Sequence, residues 1–345
     1  MTAPKTPDTT SPGPAKIADV ARLAGVSVAT VSRALANPDV VNAETRKRVL
    51  DAVREMRYTP NVAAQNLRAR KSRMVLVVVP DIGNAFFSEV LRGIDETLSS
   101  AGYGLIIANL GNSAEKETRY VDLAYAGQVD GILLLCGHVI ASKSRSIRDA
   151  RIPIVAVCER ISGETFPQVE SDNHNAARRA VEHLIERGHR RIAYLSGPKH
   201  NILETERCAG FTDALAEARL PLRKDWLFTG DFTFNAGLSA ASTVLAMPPD
   251  DRPSALFAAN DEMAIGFMKA VQDAGLAIPD DIAIIGFDGI AFADYCIPPL
   301  TTIVQPRVRL GEKGAQLLLE EITQGHLDKT HSIQLSCELK IKKST

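Results

Sequence analysis

The 345-residue sequence has five cysteines, Cys136, Cys158, Cys208, Cys296 and Cys337, and no CxxC pair among them. Such scattered thiols read as small buried hydrophobes, which argues against a disulfide framework and against a metal cluster. The seven histidines show no metal spacing. A GxGxxG turn after the first apolar run, a P-loop and a GxSxG elbow are all missing, so neither a cofactor nor an enzymatic reaction on a nucleotide-type fold is expected. No apolar run approaches the roughly 20 residues that cross a bilayer, so no membrane partner is expected either. The opening "MTAPKTPDTTSPGPA" has no apolar core of a signal peptide. Its Thr and Pro content reads as a disordered tail, residues 1–15, on a cytoplasmic protein.

Hydrophobic residues make up 45% of the chain and charged residues 23%, the composition of an ordinary globular protein. The length implies two or three domains. The formal net charge of -1 hides a division, because residues 1–73 carry thirteen Lys or Arg against six Asp or Glu. A basic head on an acidic body predicts that the head alone meets a polyanion.

Residues 16–60 read as one small helical domain. Ile17, Val20, Ala21 and Ala24 form one apolar stripe; Gly25 permits a tight turn, and Ser27 can cap a second helix in which Val28, Val31 and Leu35 share a face. Val49, Val53 and Met56 face inward from a third, "AETRKRVLDAVREM". Helices this short need a common core. The opposite side of the second helix carries Ser27, Thr30, Ser32 and Arg33, a pattern that fits a helix-turn-helix entering the DNA major groove. Beyond it, "NVAAQNLRARKS" within residues 61–73 has too few apolar residues to hold a helix alone and reads as a linker that becomes helical when a partner holds it.

From residue 74 to 345 the pattern changes to short apolar runs alternating with amphipathic stretches. "VLVVV", "GLIIAN", "GILLL", "IVAVC", "IAYLS", "SALFAA" and "IAIIGF" are the strand candidates. Continuous apolar strands between helices predict parallel sheets covered on both faces, and this length predicts two of them. The expected fold is a small all-α helix-turn-helix headpiece followed by an α/β body of two doubly wound parallel-sheet lobes. Pro153 and "PPLTT" at 298–302 are candidate crossover points.

The segment "KIADVARLAGVSVATVSRALANPDVVNAETRKRVLDAVREMRYTPN" resembles the headpiece of the LacI family of bacterial transcription regulators. The likeness continues through "VPDIGNAFFSEVLRGI", "RGHRRIAYLSGP", "FAANDEMAIG", "IIGFDGI" and "PPLTTIVQP", and so covers everything after residue 15. "GDFTF" and "PPLTTIVQPR" resemble its cytidine-sensing members most. The resemblance implies a periplasmic-binding-protein-like body and a homodimeric cytoplasmic repressor of double-stranded operator DNA. It also implies a small-molecule effector, a nucleoside or sugar, held between the lobes. The end "IKKST" lacks the Leu heptads of a tetramerising helix.

By family position Val28, Ala29 and Arg33 would face base edges, while Thr30 and Ser32 would hold phosphates, with Ser27 at the helix start. Guanidinium forks suit guanine and hydroxyls suit phosphate oxygens. In the linker the resemblance implies a hinge helix that orders on operator, with Asn61, Ala64, Leu67 and Arg68 at the DNA and Leu67 as a minor-groove wedge. Leu67 as an anchor of the linker on the core is the alternative. Ala63 replaces the larger β-branched residue of many members, which weakens hinge-to-hinge packing.

For the effector the resemblance implies Phe86 and Phe87 in a loop after the first strand, with Phe232, Glu159, Asn201, Arg207, Asn260 and Asp288. Aromatic faces suit a base or the apolar side of a sugar, and Arg with Asp can grip adjacent hydroxyls. Glu159 stands where the family usually has Asp. Purine-sensing members read the base near positions 201 and 203, occupied here by Asn201 and Leu203, so a purine held in that manner is not expected. An Arg207–Asp288 ion pair that merely joins the lobes is one alternative, and a periplasmic solute-binding protein is the alternative for the whole chain.

Overall fold

The computed structural model describes residues 15–59, 71–111, 113–161, 163, 166–199, 201–325 and 331–345. The expected tail, except for Ala15, and the hinge positions Asn61, Ala64, Leu67 and Arg68 lie outside these described residues. The chain divides into two compact units, one up to Arg70 and one from Lys71 to Thr345.

In the first unit three helices, α1 (Ile17–Ala24), α2 (Val28–Ala36) and α3 (Ala43–Glu55), close on Val20, Ala21, Ala24, Val31, Ala34, Val49 and Ala52. Gly25 ends α1 in the left-handed region at φ 64°, a conformation glycine adopts without cost. Ser27 then caps α2, its Oγ accepting from Thr30 N at 3.1 Å, and Asn42 caps α3 by accepting from Thr45 N at 2.8 Å. Val28 departs from the expected packed face. It opens α2 one turn before the core begins, and it is exposed.

The second unit contains two six-stranded sheets. The first comprises β1 (Met74–Val79), β2 (Gly104–Asn109), β3 (Gly131–Leu134), β4 (Ile154–Cys158), β5 (Gln168–Ser171) and β11 (Ser332–Leu335), in the order β11-β5-β4-β3-β1-β2, all parallel. The second comprises β6 (Ile192–Ser196), β7 (Leu227–Thr229), β8 (Ala255–Ala258), β9 (Ala283–Asp288), β10 (Thr301–Val304) and β12 (Glu338–Lys340), ordered β12-β10-β9-β8-β6-β7. Only β12 runs antiparallel, along β10.

Alternation within the apolar runs explains why the first sheet is buried on both faces. Val75, Val77 and Leu133 join one core with Val90 and Leu310, while Leu76, Val78 and Leu134 join another with Val121 and Ala124. All seven nominated runs are strands. The shorter β5, β7, β10, β11 and β12 escape a hydrophobicity pattern because they are polar or lie at edges. β10 buries Thr301 and Thr302, which Ser344, Thr345 and Asp261 satisfy through hydrogen bonds.

The chain passes between the sheets at Asp172, at 305–306 and at 336–337. The expected crossovers are therefore displaced: Pro153 leads directly into β4, and Thr301–Thr302 already belong to β10. Helices α4 (Phe86–Ser100) and α11 (Arg307–Gln324) cross at glycines, where a Cβ on Gly311 would lie 2.1 Å from Val90 O and one on Gly93 2.2 Å from Val308 O. That close approach seats α4 firmly against the first sheet, with its N-terminus at the opening between the lobes.

Candidate functional site

On α2, Ser27, Val28, Ala29 and Arg33 are exposed and Thr30 and Ser32 half-buried, so the six nominated side chains occupy the helix surface left free by Val31 and Ala34. Ser27 Oγ and Thr30 Oγ1 lie 2.8 Å apart, which ties the helix start together. Arg33 Nε donates, among the described residues, only to Ala29 O, at 3.4 Å. Among the described residues Arg33, Lys47 and Arg48 have no carboxylate partner, whereas Arg46 and Arg54 have Asp39 and Asp51. This face can therefore offer uncommitted cations and hydroxyls to a polyanion.

In the second unit the eight residues nominated for the effector, spread from Phe86 to Asp288, line a single cleft of about 790 Å³ between the lobes. Phe86 and Phe87 are the first residues of α4 rather than part of a loop, and they pack edge to face with centroids 5.2 Å apart. Asn84 makes the helix start there, its Oδ1 accepting from Phe86 N at 2.9 Å. Phe232 precedes α8 (Phe234–Ala246) at φ 67°. With Cys158 at 72° and Asp288 at 114°, three of the seven non-glycine residues with positive φ among the described residues lie on the cleft wall. Backbone strain gathered in one place marks a constrained site.

Arg207 lies on α7 (Ile202–Glu217), almost wholly buried. Its Nε donates to Asn173 Oδ1 at 3.0 Å and Nη1 to Ala259 O at 2.6 Å, and its plane covers the Phe287 ring at 3.8 Å. Nη2 approaches Asp288 Oδ1 at 3.7 Å. Both belong to the second lobe, so this ion pair does not join the lobes. Asp288 also accepts from Gln305 Nε2 at 2.7 Å. Burial nevertheless outweighs these partners and holds the Asp288 carboxyl up at about 6.

Glu159, at the end of β4, is the group that spans the cleft. Its Oε2 accepts from Asn201 Nδ2 at 3.1 Å across the lobes, and burial pushes its carboxyl up to about 7 despite Asn201 and Arg207. A second bond between lobes runs from Ala85 N to Glu262 Oε1 at 3.1 Å, and Arg160 meets Glu206 at 2.8 Å.

Asn201 and Asn260 turn out to be scaffold as well as lining. Asn201 caps α7 by accepting from Leu203 N at 2.8 Å. Asn260 caps α9 (Asp261–Asp273) through Met263 N and donates to Phe232 O at 3.0 Å, which holds the strained Phe232 in place. Beneath them Asp261 accepts from Ile290 N, and burial raises its carboxyl to about 8.

Sequence reasoning missed Asp81, Glu117, His138, Asp231, Glu262 and Gln305, all on the cleft wall. Asp81, Asp231, Glu262 and Gln305 sit within quoted motifs, "VPDIGN", "GDFTF", "NDEM" and "VQP"; for Glu117, on the helix Ala114–Tyr125, and for His138 nothing local distinguishes them from solvated residues. Cys136 and Cys158 also line the cleft, with burial raising the Cys136 thiol to about 12. A second hollow of about 850 Å³, around Glu89, Asp294, Arg307 and Lys340, contains none of the nominated side chains.

Residues 16–61 match the family model described as bacterial regulatory proteins, lacI family, and residues 181–345 match a periplasmic binding protein-like domain. The chain is 39% identical to the HTH-type transcriptional repressor CytR of Escherichia coli (strain K12) over 331 residues, 96% of each chain. The chain belongs to the lacI family of bacterial regulatory proteins. As a lacI-family member it is a DNA-binding transcriptional regulator with an effector-binding body, and not an enzyme. The solute-binding alternative shares the body but lacks the headpiece.

Two solved structures share the whole architecture. One is a lac repressor dimer bound to operator and the anti-inducer ONPF, 26% identical with TM-score 0.84, covering 96% of this chain and 99% of that one. The other is a transcriptional regulator CelR–cellobiose complex, 30% identical with TM-score 0.73, covering 96% and 100%. Among the described residues no helix of this lacI-family regulator is long and apolar enough to cross a membrane.

Proposed function

We propose that this lacI-family regulator is a homodimeric, cytoplasmic repressor whose hold on operator DNA is set by a nucleoside or sugar bound between its lobes. The observation that carries the reading is the convergence of eight residues, distant in sequence, on one aromatic and polar cleft in a chain that also bears a helix-turn-helix. Phe86, Phe87 and Phe232 cover the ligand's flat or apolar face. Arg207, Asp288 and Glu159 engage its hydroxyls, and Asn201 and Asn260 fix the walls. Cellobiose in the CelR complex supports a ligand of this kind.

Arg33, Val28 and Ala29 read bases, Thr30 and Ser32 hold phosphates with Ser27 at the helix start, and Asn61, Ala64, Leu67 and Arg68 lie at the DNA with Leu67 as the minor-groove wedge. The operator-bound lac repressor dimer supports this assignment. A dimer is supported further by exposed Phe292, Tyr295, Ile297 and Ile341, with Asp294 paired to Lys340 and Lys342 around them. Effector control follows if the ligand favours one lobe arrangement over the other.

Operator binding measured by fluorescence anisotropy, with and without ligands drawn from a thermal-shift screen of nucleosides, pentoses and hexoses, tests the reading. Arg207→Ala and the milder Phe232→Ala should abolish the ligand's effect. Ligand-free operator binding survives if the ligand is an inducer and is missing if it is a corepressor, while circular dichroism reports folding in either case. A folded variant that answers the ligand with unchanged affinity refutes the placement of the site.

A further inference from the structure

We propose that the cleft accepts an uncharged, hydroxyl-rich ligand, a free nucleoside or free sugar, and rejects the phosphate ester of that same ligand. This rests on the reading of the cleft as the effector site and adds the charge class of what enters it.

The first ground is the charge on the wall. Among the described residues the cleft is lined by six acidic side chains, Asp81, Glu117, Glu159, Asp231, Glu262 and Asp288, against one arginine and one histidine; burial raises Glu159 to about 7 and Asp288 to about 6, so the negative charge is carried mainly by the other four. His138 Nε2 already lies 3.1 Å from Glu117. Arg207 is bound to Asn173 and Ala259, stacked on Phe287 and drawn toward Asp288, so it is not free to swing onto a phosphate. An incoming phosphate would meet like charge, and among the described residues lining the cleft no uncommitted cation offsets it.

The second ground is hydrogen bonding rather than charge. Helices α4, α7, α8 and α9 all begin at the cleft, and open helix N-termini are ready-made phosphate sites through their free N–H groups and dipoles. Here each start is capped in part by the chain's own oxygens. Phe86 N is held by Asn84 and Ala85 N by Glu262. Leu203 N and Glu204 N are held by Asn201. Thr233 N is held by Asp231 and Ala236 N by Thr233, and Met263 N by Asn260. At each start one or two of the N–H groups that a phosphate would use are already taken by side-chain acceptors.

What the wall does offer is a surplus of acceptors. Glu159 and Asp288 line the cleft beside their partners Asn201 and Gln305, and because burial disfavours their ionised forms, a further donor from a ligand hydroxyl would stabilise them. Phe86, Phe87, Phe232 and Phe234 give such a ligand an apolar lid.

Calorimetric titration of the full chain with matched pairs tests this: cytidine, adenosine, ribose and glucose, each beside its monophosphate ester. At least one uncharged member should bind, with its ester weaker by about tenfold or more. An ester that binds as tightly as its parent overturns the proposal while leaving the effector reading of the cleft intact. Binding by no member of either series overturns that reading and the proposal with it. Asp231→Asn keeps the acceptor for Thr233 and removes one charge, so the parent-to-ester ratio should fall severalfold. A ratio unmoved by Asp231→Asn in a folded variant assigns the discrimination to shape and overturns the charge argument.

Discussion

Replacing Glu159 by Gln tests the electrostatics of the cleft most directly. The side chain is 8% exposed, and burial lifts its carboxyl from 4.5 to about 7, with Asn201 and Arg207 opposing the rise only in part. Between those two values the folded chain holds a proton that the unfolded chain releases. The stability contributed by that proton is therefore fully present below about pH 4.5 and is lost as pH rises through about 7. The full gap corresponds to roughly 3 kcal/mol once pH is well above 7, and relaxation around the charge reduces it. Gln cannot ionise, yet its carbonyl can still accept from Asn201 Nδ2. Glu159→Gln should thus be more stable than the parent by roughly 1–3 kcal/mol at pH 8.5, with the advantage gone at pH 4.5. Asp261 and Asp288 titrate in both proteins, so the difference between the two isolates Glu159. Paired thermal and urea unfolding at pH 4.5, 6.5 and 8.5 measures it. A difference that is constant with pH, or that grows toward acid, refutes the assignment of a raised carboxyl at this position.

Other outcomes bear on the two units separately. Ser27→Ala removes the acceptor for Thr30 N and should cost the headpiece about 1 kcal/mol, read from the unfolding of its helical signal. Arg33→Ala should erase the preference for operator over random DNA, since a bidentate base contact is worth about 1–3 kcal/mol, whereas Arg48→Ala should weaken both about equally. Competition titrations at fixed salt separate the two, and equal losses for Arg33→Ala would remove it from the bases. Gly311→Ala places a Cβ 2.1 Å from Val90 O, so α4 and α11 must part. The melting temperature of the body should fall by several degrees, and an unchanged value would mean that the helices slide apart at little cost.

The sequence alone carried the local periods. The stripe Ile17–Val20–Ala21–Ala24, Gly25 and Ser27 specify a helix, a turn and a capped helix, because side-chain spacing and φ preference act within a few residues. The seven apolar runs specify strands for the same reason, and the charge of the headpiece is a count that needs no coordinates. Tertiary structure decided everything that depends on partners far along the chain. β10 is a strand although it buries two threonines, because Asp261, Ser344 and Thr345 satisfy them. The chain changes lobe at Asp172, 305–306 and 336–337, positions that no local signal marks. Arg207 and Asp288 share one lobe, whereas Glu159–Asn201, Ala85–Glu262 and Arg160–Glu206 span the opening. Asn201 and Asn260 read as ligand groups in one dimension, and in three they line the cleft and also cap helices. Whether a polar group is free or spent depends on what the fold sets within about 3 Å of it, and that distance is not encoded by neighbours in sequence.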